Sequence, residues 1–450
     1  MRKGKTTLIS LLIFILTLTS NVFAAGDSNT EPPTIYGKTA MTIDVETGEI
    51  IYAKNIDKRM YPASTTKYLT ALLLAENKGK NDNIPYTATA KSQPQYSLNI
   101  NLHPIDIGET IKAENVMDGL LLFSGNDVAY MIGDALAGNN KNFENMMNKK
   151  IQELNLKNTH FVTPNGLHNP NHYTTAYDLS VISRAALKNP WVYQSSNKKE
   201  SSIVTSKGTK MAIENSNKLL GKDGCVAGKT GYTDAAGRCL VTLFNRDGRK
   251  ILGVVMGSVY DAKDSFVFQD MKKIIDWSYN VKPSTLYKKD SSLKTETVTY
   301  NPLKIIGPSV TIDVPIILKE DVTYYKNEVN DKEANKTINI DNTSYAALSG
   351  KKNMGTLTVK EREYEKKYEV YSGLPKEEIM KKNMPFYVVS IILVLAIITV
   401  IFFLVKFFKN KINKKNRNKN KILVLKYQYY LHHKKLAKYT LNIIIKTLIK

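Results

Sequence analysis

The feature that most constrains this chain is an uninterrupted apolar run near its C-terminus. Residues 386–405, FYVVSIILVLAIITVIFFLV, carry no charged side chain. Twenty residues in a helix rise about 30 Å, which matches the hydrocarbon core of a bilayer. The sequence therefore predicts one transmembrane helix, and the remaining segments have to fold on one side of a membrane or the other.

The two ends of the chain predict which side each segment occupies. Residues 406–450 hold fourteen Lys or Arg and no Asp or Glu, so the positive-inside rule predicts a basic cytoplasmic tail. Residues 1–24 run from basic residues through an apolar stretch to small residues ending at Ala24, which is typical of a signal peptide. We therefore expect residues 25–385 to be exported and anchored by one membrane span.

This topology also explains the net charge. Of the formal charge of +23, the tail carries +14 and the signal segment +3. The exported part keeps only about +6 by this count, and the basic tail is suited to anionic lipid. The charge balance therefore gives no support to a nucleic-acid partner.

Apolar periodicity predicts the organisation of the exported part. Runs rich in β-branched residues lie near 40–55 and 235–258, and they bracket a region, about 105–190, with apolar residues at helical spacing. The pattern predicts an α/β domain over 25–285, in which an antiparallel sheet built from both ends of the domain is flanked by helices, with a mostly helical subdomain. Residues 286–380 read as a small β-rich accessory domain.

The segment YPASTTKYLTALLLAE places Ser64 three residues before Lys67 at the head of an apolar helix. Side chains at i and i+3 share a helix face. Burial lowers the pKa of a lysine, and a neutral amine can then take a proton from a hydroxyl. The alternative is that Ser64 only caps the helix while Lys67 extends to solvent.

Two more polar clusters follow. Ser124 and Asn126 precede a helix in LLLFSGNDVAYM, where a hydroxyl can relay a proton and an amide can hold a peptide group. Lys229, Thr230 and Gly231 end a predicted strand, where a cation and a hydroxyl suit a carboxylate and glycine allows close backbone approach. Taken singly, the first cluster is commonly a helix cap and the second a turn.

In this order, SxxK, SxN and KTG resemble the motif set of penicillin-binding proteins. The segments PASTTK, SGND, LKNTHFVTPNGLH, HYTTAYDLS and KTGYTDAAG are similar to those of the low-molecular-mass penicillin-binding proteins that are serine-type D-alanyl-D-alanine carboxypeptidases. The resemblance covers about residues 34–280. It implies a β-lactamase/penicillin-binding transpeptidase-like fold, a bacterial cell-membrane location, and no cofactor or metal.

The resemblance also implies a role for each motif residue. The substrate would be a peptidoglycan stem peptide ending in D-Ala-D-Ala, and β-lactams would acylate the same serine. The implied catalytic residues are Ser64 as nucleophile, Lys67 as its base and Ser124 as proton shuttle. Substrate binding would fall to Asn126, Lys229, Thr230 and Gly231, and the oxyanion hole to the backbone N–H groups of Ser64 and Tyr232.

Several alternatives stay open at this point. A D,D-endopeptidase of the same family fits the motifs. A non-catalytic, membrane-anchored wall-binding protein is disfavoured, because a degenerate site would be expected to lose at least one of the polar motif residues and none is missing. A β-lactamase is disfavoured because TPNGLHNPNHYTTAYDL offers no glutamate for deacylation. A zinc peptidase is disfavoured because His168 and His172 flank Pro170 and have no evident third ligand. Cys225 and Cys239 could pair as a disulfide or remain two buried thiols.

Overall fold

The computed structural model describes residues 31–303, 307–415 and 423–449. The predicted signal peptide lies outside the described residues. The chain divides into two compact units. Of the described residues, the first comprises 31–284, 324–334 and 361–365, and the second comprises 285–303, 307–323, 335–360, 366–415 and 423–449.

The described strands precede and follow a run of helices in the first unit, and they dominate the segment that comes after that unit. In chain order they are β1 (Thr39–Asp44), β2 (Ile50–Lys54), β3 (Asn83–Pro85), β4 (Thr110–Lys112), β5 (Glu200–Val204), β6 (Lys210–Glu214), β7 (Cys225–Thr233), β8 (Gly237–Arg246), β9 (Arg249–Ser258), β10 (Ser284–Tyr287), β11 (Ser292–Tyr300), β12 (Val310–Leu318), β13 (Val322–Tyr324), β14 (Asn335–Ile340), β15 (Gly355–Glu361) and β16 (Tyr364–Ser372).

The described helices include short single-turn pieces and two long C-terminal helices. They are α1 (Lys67–Asn77), α2 (Ala88–Lys91), α3 (Leu98–Asn101), α4 (Ala113–Asp118), α5 (Asn126–Ala137), α6 (Asn140–Glu153), α7 (Ala176–Lys188), α8 (Pro190–Asn197), α9 (Phe266–Asn280), α10 (Asn330–Glu333), α11 (Tyr345–Leu348), α12 (Lys376–Lys415) and α13 (Leu423–Ile449). A 3-10 turn, Ala63–Thr66, precedes α1, and a π-helical turn, Gly119–Phe123, follows α4.

The main sheet of the first unit is antiparallel and has the strand order β2-β1-β9-β8-β7. Strands from both ends of the domain therefore share one sheet, as the sequence predicted. β9 is almost wholly buried, because α9 packs on its sheet. Gly253 makes that contact possible, since a Cβ at this position would lie 2.4 Å from Met271 Sδ.

Helix α1 is buried on nearly every face, which agrees with its apolar sequence. Leu69, Leu73 and Leu74 each expose 2% or less of their surface. Complete burial of a leucine side chain stabilises a fold by about 1.5–3 kcal/mol. The helix is thus firmly anchored in the core at the point where its preceding turn carries Ser64. The mostly helical subdomain predicted beside it is also present, as α4 to α8.

The two cysteines lie on adjacent strands but are not opposite each other. Cys225 pairs in register with Phe244, and Cys239 pairs with Gly231. Both are free and buried, and burial raises the pKa of each thiol to about 11. Of the two possibilities left open by the sequence, the structure has two buried thiols.

The second unit contains a five-stranded antiparallel sheet with the order β11-β12-β16-β15-β14. Along β12, residues alternate between buried and more exposed positions, which is typical of a sheet covered on one face. The unit continues into α12. Within the described ranges, Lys376–Lys411 is the one helical stretch long and apolar enough to cross a membrane, and it includes the predicted span, 386–405.

Candidate active site

Ser64 lies in the 3-10 turn that leads into α1, and its hydroxyl faces Lys67. Lys67 Nζ is 2.8 Å from Ser64 Oγ, and Lys67 is completely buried. No side chain caps the turn or α1. The alternative in which Ser64 is a cap and Lys67 extends to solvent is therefore wrong, because the apolar packing around α1 leaves the lysine no route to water.

The surroundings of Lys67 favour a neutral amine. Nζ also lies 3.1 Å from Asn126 Oδ1 and 3.0 Å from the Asn165 carbonyl oxygen. An amine with two hydrogens donates to these two oxygens and keeps its lone pair for the Ser64 hydroxyl proton. Burial holds the pKa of Lys67 well below its usual range, and the nearby positive charge of Lys229 lowers it further.

Ser124, two residues before Asn126, is held in an unusual backbone conformation. Its φ of +74° is left-handed, a conformation that costs a non-glycine residue about 1–3 kcal/mol. The π-helical turn before it ends with a Gly125 N–H to Gly119 carbonyl bond of 3.0 Å, and Asn126 N–H donates to the Tyr96 carbonyl at 2.7 Å. These bonds fix the turn that presents the Ser124 hydroxyl.

Ser124 meets the third motif through Lys229. Lys229 Nζ is 2.9 Å from Ser124 Oγ and 3.0 Å from the Thr230 carbonyl oxygen. Lys229 is also completely buried. Burial lowers its pKa to about 7, helped by the charge of Arg238, which is itself paired with Asp264. A group with this pKa is partly cationic at neutral pH and suits a carboxylate ligand.

The side-chain amide of Asn126 contacts Lys67 and retains one free donor hydrogen. Its Oδ1 accepts from Lys67, and its Nδ2 donates to the Gln95 carbonyl oxygen at 2.8 Å. These two partners fix the orientation of the amide. Since the amide nitrogen carries two hydrogens, one remains for a substrate carbonyl group.

Strand β7 brings Thr230 and Gly231 next to the turn that carries Ser64. Thr230 Oγ1 is 2.7 Å from Ser216 Oγ. A Cβ at Gly231 would lie 2.9 Å from the Ser64 backbone nitrogen, so the absence of a side chain keeps this space clear. The adjacent Tyr232 is more than one-third exposed. All seven motif residues predicted from the sequence therefore converge on one site.

Sequence reasoning missed Asn165, whose contribution is a backbone oxygen. Gly166, next to it, has a φ of +79°, and a Cβ there would lie 1.9 Å from the Ala63 carbonyl oxygen. The loop can therefore approach the serine turn closely enough for Asn165 to reach Lys67. The Asn-Gly pair marks a turn, but no residue pattern predicts where its carbonyl will point.

His172 is hydrogen-bonded through Thr66 to the turn that carries Ser64. Its Nδ1 accepts from the backbone N–H groups of Val162 and Thr163 at 3.0 and 3.2 Å. Nε2 must then carry the proton, and it lies 2.9 Å from Thr66 Oγ1, which donates to the Ala63 carbonyl oxygen at 2.8 Å. Burial lowers the pKa of His172 to about 3, so the ring stays neutral.

The His172 arrangement also bears on the zinc alternative. The ring of His168 lies against Tyr61 instead, at 4.6 Å. Across the described ranges, no group of three or more His, Cys, Asp or Glu side chains is placed to hold a metal ion. The two histidines thus serve separate protein partners.

We expect two His172 variants to separate the acceptor from the donor role. His172→Gln can keep a donor at the Nε2 position, whereas His172→Asn keeps only an acceptor near Nδ1. If His172 positions Ser64 through Thr66, acylation by fluorescent penicillin should be about 10- to 100-fold slower in the Asn variant than in the Gln variant. Thermal melting of both variants provides the control. Equal acylation rates in the two would contradict a positioning role.

Comparisons with known proteins agree on one family. The family model described as D-alanyl-D-alanine carboxypeptidase matches residues 27–259. DacF of Bacillus subtilis, a D-alanyl-D-alanine carboxypeptidase, is 30% identical over 371 residues, which are 79% of this chain and 90% of that protein. DacA of Haemophilus influenzae, also a D-alanyl-D-alanine carboxypeptidase, is 30% identical over 290 residues, 61% of this chain and 70% of that protein.

Solved structures give the same result for the fold. A D-alanyl-D-alanine carboxypeptidase from Mycobacterium tuberculosis is 28% identical with a TM-score of 0.52, covering 58% of this chain and 96% of that one. The Streptomyces K15 DD-transpeptidase is 26% identical with a TM-score of 0.50, covering 56% of this chain and all of that one. The predicted penicillin-binding transpeptidase-like fold is confirmed.

Proposed function

The chain belongs to the D-alanyl-D-alanine carboxypeptidase family, and from this we propose how its residues act. The enzyme is a serine hydrolase that removes the terminal D-alanine from peptidoglycan stem peptides and is acylated by β-lactams. The observation that carries the assignment of roles is the contact of 2.8 Å between the Ser64 hydroxyl and the buried Lys67 amine.

Acylation begins when Ser64 Oγ attacks the carbonyl carbon between the two D-alanines. Lys67 Nζ takes the hydroxyl proton as the C–O bond forms, since its lowered pKa keeps the amine neutral. The negative charge moves to the carbonyl oxygen, which the N–H groups of Ser64 and Tyr232 stabilise. When the C–N bond breaks, Ser124 relays to the leaving D-alanine amine the proton that Lys67 accepted, so Lys67 is neutral again before deacylation. The contact between Ser124 and Lys229 supports this relay.

The substrate is held at both ends of the reacting peptide bond. The free amide hydrogen of Asn126 binds a stem-peptide carbonyl, and Lys229 and Thr230 bind the terminal carboxylate. Gly231 leaves room for the peptide beside Ser64. A charged donor and a hydroxyl side by side match the two oxygens of a carboxylate.

Deacylation completes the cycle. A water molecule, deprotonated by Lys67, attacks the ester and releases the shortened peptide with Ser64 restored. A β-lactam follows the same first step, since its ring amide takes the place of the scissile peptide bond. Its opened ring remains attached by the same carbonyl carbon, so the ester is identical in kind.

Product masses distinguish the carboxypeptidase from the endopeptidase alternative. We expect the purified enzyme to shorten a stem pentapeptide by one D-alanine and to leave a cross-linked peptide dimer uncut. Mass spectrometry of a digest of wall fragments measures both at once. Cleavage of the dimer at a comparable rate would show an endopeptidase, and an unchanged pentapeptide would support a non-catalytic wall-binding protein.

We extend the proposal to topology, with the catalytic unit outside the membrane, α12 spanning it, and the basic tail on its cytoplasmic side. The apolar span within Lys376–Lys411 supports the anchor. The fourteen basic residues beyond position 405, with no acidic ones, support the orientation.

Cysteine labelling on intact cells tests this orientation. Lys351→Cys, in the second unit, should react with a membrane-impermeant maleimide, whereas Lys438→Cys, in α13, should react only after lysis. Both positions are exposed. The unsubstituted chain is the control, because Cys225 and Cys239 are buried. Labelling of the Lys438→Cys variant on intact cells would reverse the orientation.

A further inference from the structure

A cavity of about 950 Å³ lies between the two long helices of the second unit, α12 and α13. It is lined by one face of each helix. The lining of α12 extends from Ile398 to Lys411, a distance of about 20 Å along a helix. The cavity therefore begins inside the apolar span and ends beyond it, in the basic segment.

The inner part of the cavity is apolar. Ile398, Phe402 and Leu404 line it, yet these side chains remain 41%, 61% and 50% exposed. A cavity of about 950 Å³ with this apolar lining has room for a hydrocarbon chain.

The outer part of the cavity is basic. Lys411 of α12 and His433 and Lys434 of α13 are among the residues that line the cavity. No Asp or Glu occurs anywhere in residues 406–450, so these cations have no acidic partner within the tail. Basic pockets beside a membrane helix on the cytoplasmic side are suited to acidic lipid head groups.

We infer that this cavity binds an anionic phospholipid, with the phosphate between Lys411 and Lys434 and an acyl chain along Ile398 and Phe402. The order of the two parts along α12 matches the order of head group and chain along the membrane normal. The inference rests on the proposed anchoring by α12. It adds a specific lipid partner to the catalytic protein, at a site separate from Ser64.

Native mass spectrometry of the full chain in detergent micelles tests the site. With dioleoylphosphatidylglycerol added, we expect a one-lipid adduct that dioleoylphosphatidylcholine does not form. The double variant Lys411→Gln/Lys434→Gln should bind the anionic lipid about 25-fold more weakly, since each basic side chain near an anionic head group contributes about a factor of five. Penicillin labelling of the same samples should be unchanged.

A matched double variant separates a built site from diffuse attraction. Lys409→Gln/Lys435→Gln removes the same charge from the same two helices, but neither residue lines the cavity. It should bind the lipid as the unsubstituted chain does. Equal loss in both double variants, or equal retention of phosphatidylcholine, would overturn the proposal.

Two further measurements identify which part of the lipid the cavity recognises. Ala437 lines the cavity, and Ala437→Phe should fill part of it and weaken lipid binding without changing charge. Excess inorganic phosphate should not displace the lipid, and displacement would show a site for the anion alone. A detergent micelle does not distinguish a cytoplasmic from an exported side, so the measured lipid binding does not depend on the orientation of the tail. The proposal for the lipid site and the proposal for the topology can therefore be refuted independently.

Discussion

Ser64→Ala is expected to abolish both covalent labelling by fluorescent penicillin and release of D-alanine from a pentapeptide. The change removes the only atom that forms the acyl ester. It leaves the turn otherwise intact, because the Ser64 hydroxyl makes no cap bond and its contact with the Asn165 carbonyl oxygen is long, at 3.5 Å. Loss of the nucleophile in a serine hydrolase lowers the rate by several orders of magnitude, about 10⁶-fold in one studied protease. Gel fluorescence and an assay for free D-alanine measure the two effects.

A matched control is available in the same chain. Ser291 also stands three residues before a lysine, Lys294, but its hydroxyl donates to the Lys288 carbonyl oxygen at an exposed position. Ser291→Ala should label as strongly as the unsubstituted enzyme. Labelling that survives in Ser64→Ala would remove Ser64 from the mechanism, whatever the other motif residues do.

Lys67→Arg is expected to slow acylation by about 10²- to 10⁴-fold, the contribution usual for a general base. The substitution keeps a cation beside Ser64, but a guanidinium does not deprotonate near neutral pH. In the unsubstituted enzyme the rate should rise with pH as Lys67 loses its proton, and its lowered pKa places this rise well below that of a free lysine. The acylation rate measured across pH checks both points.

A second variant at position 67 distinguishes loss of the base from misfolding of the protein. A permanently charged group in this buried position carries a desolvation penalty of several kcal/mol, so Lys67→Arg is melted in parallel with Lys67→Met. The methionine is similar in length and apolar, and should be folded and slow. Near-normal acylation in either variant would contradict the assignment of Lys67 as the base.

Much of the fold can be predicted from the periodicity of apolar residues, because the pattern within each helix or strand indicates which of its faces are buried. The leucines of α1 and the β-branched residues of β8 and β9 predict their own environments. The turn at Asp247 and Gly248, both with positive φ, also depends on a local signal, because an Asp-Gly pair favours the tight turn of a hairpin. Such local signals are reliable because the chain neighbours that produce them stay neighbours in the fold.

The site was predictable by its residue types and not by its supporting contacts. Ser64, Ser124 and Lys229 were identified by motif, but their distances depend on three segments meeting across the first unit. The carbonyl of Asn165 and the tautomer of His172 depend on loop geometry that no spacing encodes. The left-handed φ of Ser124 is likewise set by the π-helical turn before it, which the helical periodicity of that segment does not distinguish from an α-helix.

The clearance at Gly231 has a consequence for the evolution of drug resistance. Any side chain at this position would crowd the Ser64 nitrogen and the Pro62 carbonyl oxygen, at 2.9 and 3.1 Å. In the proposed mechanism, the natural substrate and the antibiotic both deliver a carbonyl carbon to Ser64 beside this glycine. A larger side chain at residue 231 that excluded the drug would therefore also exclude the wall peptide. Resistance mutations are expected at other positions.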